Sequence, residues 1–114
     1  MQLYEMVFAL RPKLEEEGIK EIKEEIRGFI GQNGGEVEEY IDIGKRKLAY
    51  EVEGEEEGYF IKAYFTINPT HLKDLFTWIK TKDNVIRVII TKVKKKPVTS
   101  PQREERRKAN VGSE

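Results

Sequence analysis

Residues 15–35, EEEGIKEIKEEIRGFIGQNGG, decide the fold. Ile19, Ile22, Ile26 and Ile30 fall at spacings of three, four and four. That is one apolar face of a helical period, with charged residues on the other face. Glu15, Glu16 and Glu17 stand in the first turn, where the helix dipole favours negative charge. Gly31 and then Asn33-Gly34-Gly35 supply residues that tolerate the left-handed conformation in which helices end. The pattern predicts an amphipathic helix over residues 15–30, which must bury its isoleucine face against another layer.

Strand signals flank it on both sides. Upstream, residues 3–10 place Tyr4, Met6, Phe8 and Leu10 on one parity, and Arg11-Pro12 stops the run. Downstream, residues 37–43 and 47–52 read as one strand interrupted at Gly44 by a bulge or kink. Residues 54–58 have glycine at each end and three glutamates between, which predicts a turn. Residues 59–67 are dense in aromatic and β-branched side chains and form a third strand. Asn68-Pro69 starts a second helix with the apolar stripe Leu72, Leu75, Phe76 and Ile79, while Trp78 lies off that stripe. Lys82-Asp83-Asn84 turns the chain into a last strand, residues 85–93.

The order is strand-helix-strand-strand-helix-strand. It predicts an α+β, ferredoxin-like βαββαβ domain: a four-stranded antiparallel sheet, strands one and three at its centre, with both helices on one face. The domain is expected over residues 1–93. Residues 94–114 are basic and nearly devoid of apolar side chains, and are expected to be a disordered tail.

Composition narrows the chemistry. The 114 residues include no cysteine and a single histidine, His71, so thiolate chemistry is excluded and neither a metal site nor a cofactor is expected. No phosphate-binding glycine loop occurs, and the acidic pairs follow solvent-facing helical spacing or the glycine-flanked turn. No apolar run approaches the ~20 residues of a membrane span, and the reading is a soluble, cytoplasmic, non-catalytic domain. The formal net charge is zero, yet residues 1–57 hold 8 Lys+Arg against 16 Asp+Glu, while residues 58–114 hold 13 against 5. Such a split either marks a polyanion partner or intermixes on folding.

Strand parity says what the helix-free face carries. Leu3, Val7, Phe60, Tyr64 and Ile89 should point there, and contiguous apolar surface of that kind marks a partner site. Aromatics on central strands could stack RNA bases, but the apolar content favours a protein. Cations gather elsewhere: Arg46 and Lys47 after Gly44, and Arg87, Lys92 and Lys94 along the last strand and beyond it. On an edge or loop they suit phosphate contacts, although a three-residue basic run taken alone is more often a solvated loop. A ligand-sensing domain that dimerises through its sheet is the competing reading.

Specific residues go further. Gly44-Lys45-Arg46-Lys47-Leu48-Ala49-Tyr50 resembles the glycine-x-basic-x-Leu-Ala-Tyr signature of the bacterial small-subunit ribosomal protein six family. Tyr4-Glu5, Gly58-Tyr59-Phe60 and Asp83-Asn84-Val85-Ile86-Arg87 resemble that family's recurring segments, in order over residues 2–93. The resemblance implies a structural constituent of the small ribosomal subunit, without enzymatic activity or cofactor. It further implies pairing with small-subunit ribosomal protein eighteen and binding, as a pair, to the central domain of small-subunit ribosomal RNA. Gln2-Leu3 stands where many members carry arginines, so expected RNA contacts fall on Arg46, Lys47, Arg87 and Lys92.

Overall fold

The computed structural model describes residues 1–95. Its elements are β1 (Gln2–Leu10), α1 (Glu16–Gln32), β2 (Glu36–Val52), β3 (Glu55–Ile67), a 3-10 turn (Pro69–His71), α2 (Leu72–Ile79) and β4 (Val85–Lys92). The sheet order is β2-β3-β1-β4, and every pairing is antiparallel. The ferredoxin-like arrangement, with the first and third strands central, is therefore the observed one. Of the expected tail, only Lys94 and Lys95 fall within the described residues.

The core follows the two periodicities. Met6, Phe8 and Leu10 of β1 and Ile61, Ala63, Phe65 and Ile67 of β3 are buried together with Ile22, Ile26 and Ile30 of α1 and Leu75 and Ile79 of α2. Phe76 departs from expectation: it is 37% exposed, with Lys80 Nζ 5.1 Å from its ring centroid. In its place Trp78, half-buried, stacks on Phe29 of α1 at 4.6 Å and ties the helices together. Asn68 Oδ1 accepts hydrogen bonds from the Thr70 amide and hydroxyl, so the asparagine cap opens the 3-10 turn that leads into α2.

The glycine-flanked glutamates are strand, not turn. Val52 pairs with Glu55, leaving Glu53 (φ 49°) and Gly54 (φ 84°) as a two-residue hairpin turn with positive φ at both positions. Glu55–Glu57 are tolerated in β3 because the hairpin overshoots the sheet. Past the Leu10–Tyr59 pair, β2 and β3 have only each other, so Glu56 and Glu57 stay in water and Glu55 meets a cation. We call this projecting segment the arm. Gly44 (φ 101°) sits at the register shift where the arm begins, as the kink predicts.

Arg11 fastens the arm. Its guanidinium donates to the Asp83 carbonyl (2.9 Å), the Glu53 carbonyl (3.3 Å), Glu53 Oε1 (3.2 Å) and Glu55 Oε2 (3.2 Å). One side chain thus joins the hairpin turn to the loop before β4, and it holds Glu53 in a conformation that costs a non-glycine residue about 1 kcal/mol or more.

Candidate protein and RNA interfaces

The sheet face away from the helices is built in rows set by register. One row runs Ile89–Val7–Lys62–Ile41, the next Thr91–Glu5–Tyr64–Glu39. Toward the arm, Ala9 pairs with both Arg87 and Phe60. Leu3, Val7 and Phe60 are half-buried and Ile89 is 51% exposed, so these four reach the surface where parity places them.

Tyr64 does not. Its parity is outward, but only 1% of it is exposed. Side chains from the neighbouring strand and its own meet at the ring: its hydroxyl donates to Glu5 Oε2 of β1 at 2.8 Å, and Lys62 Nζ, two residues away on β3, approaches the same oxygen at 3.7 Å. A large ring in the middle of a sheet is flanked on both sides, and alternation alone says nothing about that cover. Burial first, then the Glu5 hydrogen bond and the charges of Glu5 and Glu39, push the phenol up to about 12 from 10.0. Because the folded-state value lies above the unfolded one, this contribution to stability is complete below pH 10.0 and is lost as pH rises through about 12. Urea unfolding across that range should find Tyr64→Phe losing less stability with rising pH than the wild type. Parallel slopes for the two proteins would remove Tyr64 from the alkaline transition.

Two bulges re-aim residues that sequence alternation misplaces. In β2 the register shifts between Val37 and Glu39, so Val37 faces the core while Glu39 and Ile41 face the open side. Ile41 therefore belongs to the apolar row although it shares odd parity with Val37. In β4, Val85 and Val88 both pack toward the core despite their odd spacing, with the β1 register shifting at Ala9/Leu10. Ile86 is consequently buried on the open side, against the gap left by Gly58. A Cβ on that glycine would sit 3.2 Å from Ala9 Cβ and 3.6 Å from Ile86 Cδ1.

The five candidate cations do not form one cluster. All are exposed. Arg46 pairs with Gly58 and Arg87 with Ala9, which puts both on the open side. Lys47, one residue on, takes the opposite face of the arm; Lys92 pairs with core-facing Tyr4, and Lys94 follows beyond β4. Arg87 Cζ lies 5.9 Å from the ring centroid of Tyr50, an aromatic of the arm that neither parity nor period singles out.

A sequence profile described as ribosomal protein S6 matches residues 3–92. The chain belongs to the ribosomal protein S6 family. It is 46% identical to small ribosomal subunit protein bS6 of Clostridium kluyveri over 96 residues, covering 83% of this chain and 100% of that protein. The bS6 of Exiguobacterium sibiricum is 35% identical over 95 residues, with 83% and 100% covered. The crystal structure of 30S ribosomal protein S6 from Thermotoga maritima superposes with a TM-score of 0.74 at 25% identity, covering 81% of this chain and 87% of that one. Ribosomal protein S6 is a structural, non-enzymatic constituent of the small ribosomal subunit, which in bacteria is cytoplasmic, and this chain is such a constituent. No helix among the described residues is long and apolar enough to cross a membrane.

Proposed function

We propose that the chain binds the central domain of small-subunit ribosomal RNA together with small-subunit ribosomal protein eighteen. In this reading the folded domain, residues 1–93, presents Leu3, Val7, Phe60 and Ile89 to the protein, and Arg46, Lys47, Arg87, Lys92 and Lys94 to phosphates. The basic tail, residues 94–114, adds a sequence-independent electrostatic term. The observation that carries the proposal is the make-up of the open face: a half-exposed isoleucine extends a largely apolar row across the sheet, Arg46 and Arg87 stand on the same side toward the arm, and Lys47 and Lys92 stand on the other. In this reading the protein covers the row while RNA phosphates meet the cations at its arm end and along β4.

The test is binding of the full chain, with protein eighteen, to central-domain RNA at several salt concentrations. Each phosphate contact removed flattens the log-log salt dependence by about 0.9, so replacing Arg46, Lys47, Arg87 and Lys92 with alanine should flatten it by about 3–4. Affinity should fall alike on RNA of altered sequence, because phosphate contacts do not read bases. Ile89→Asp should instead weaken association with protein eighteen while leaving the urea midpoint of the isolated chain nearly unchanged. A quadruple variant with the wild-type slope, alongside a 97–114 deletion that abolishes it, would move the RNA site into the tail.

A further inference from the structure

The arm carries a second irregularity. Lys47 pairs with Glu57 and Val52 with Glu55, so four residues of β2, 48–51, stand opposite the single Glu56 of β3. A bulge of that size bends the strand and re-aims its side chains. Here it throws Tyr50 clear of the sheet: the ring is 65% exposed, although it belongs to the same strand as the buried Val37.

Tyr50 forms one wall of a cleft of about 340 Å³ where the arm returns to the start of β4. Val52 and Ile86 supply apolar lining, and Arg87 and Lys80 supply the positive charge. Arg87 rests by the Tyr50 ring at 5.9 Å, which steadies the aromatic plane before anything binds. The carboxylate in the lining is Glu53, and its Oε1 is held by Arg11 at 3.2 Å. The charge left facing an incoming group is cationic.

An exposed aromatic plane, an apolar lining and two cations together match a planar ring that carries an anionic substituent. Every unpaired nucleotide presents that combination in one unit, a flat base joined to a phosphate. We infer that this cleft holds one unpaired RNA nucleotide, its base stacked on Tyr50 and its phosphate set against Arg87 and Lys80. The inference rests on the RNA-binding reading above and gives it a base-stacking site in addition to phosphate contacts.

The experiment uses the full chain, protein eighteen and central-domain RNA, with short-wavelength ultraviolet crosslinking followed by peptide mapping. A stacked tyrosine should yield an adduct on the peptide containing Tyr50. Tyr50→Phe should keep both the adduct and the affinity, whereas Tyr50→Leu should lose the adduct and bind about 5- to 150-fold more weakly. Because no charge is removed, the salt slope of Tyr50→Leu should equal that of the wild type, while Arg87→Gln should flatten it by about 0.7. Urea curves of the isolated variants report that each is folded. Wild-type affinity in Tyr50→Leu, with binding still weakened in the Arg46, Lys47, Arg87 and Lys92 alanine variant, would overturn the stacking site and leave the RNA reading standing. RNA binding no tighter with the chain than with protein eighteen alone would overturn both.

Discussion

Ile26→Ala should destabilise the isolated chain by about 2–5 kcal/mol. Ile26 is 1% exposed and lies between Ile22 and Ile30 on the face of α1 that meets the sheet. Removing it leaves a void beneath a helix with little support of its own. The Glu15 cap makes no side-chain hydrogen bond, no basic residue stands in the last turn, and Gly28 and Gly31 interrupt the interior. Interior glycines each cost about 0.5–1 kcal/mol relative to alanine, so α1 persists through burial rather than propensity. Urea denaturation of wild type and variant measures the difference. A loss below about 1 kcal/mol would show that the layer relaxes around the gap.

Gly35→Ala should cost about 3 kcal/mol or more, for the opposite reason. Gly35 stands between α1 and β2, where its amide donates to the Ile30 carbonyl at 2.8 Å. A Cβ there would overlap the Thr66 carbonyl oxygen, come within 2.9 Å of Ile30 Cγ2 and within 3.2 Å of Ile67 Cα. The carbonyl and the Cα belong to the backbone of β3, a strand already paired on both sides, so neither can step aside without opening the sheet. Gly28→Ala is the matched control, since nothing lies within 4 Å of its new methyl group. It should be neutral or stabilising by up to about 1 kcal/mol. If the two alanine variants unfold at the same urea concentration, the close approach at Gly35 is not what requires glycine there.

The architecture was legible because isoleucine spacing in α1 and alternation in β1 and β3 are each set by burial on a single face. What sequence reading missed depends on register, which pairs residues far apart in the chain. Ile41 changes face because β2 bulges beside Glu38, and Ile86 is buried because β4 bulges beside Arg87. Tyr64 was legible in direction but not in exposure, since its hydroxyl is held by Glu5 of β1, which register alone brings beside it. The glutamates at 55–57 looked like a turn because a strand inside the sheet would not accept them, and nothing local announces a hairpin that overshoots its sheet. Arg11 read only as a strand stop, because all four of its acceptors lie more than 40 residues away. For the candidate interfaces, the family signature at residues 44–50 drew attention to the basic pair, but only the bulge opposite Glu56 accounts for the position of the tyrosine that ends it.

The sheet order also has a temporal meaning. β1, the earliest strand to be synthesised, lies between β3 and β4, and Tyr4 takes its cross-strand partner from Lys92. During translation β1 must wait with one edge bare until nearly all of the described chain has emerged. A strand in that condition invites pairing with a foreign strand. Contacts of such long sequence separation also make the fold slower to form than a helical bundle of its size. A nascent chain stalled before β4 should therefore be the most aggregation-prone form of this protein, and its solubility should be gained abruptly when β4 is released rather than in proportion to length.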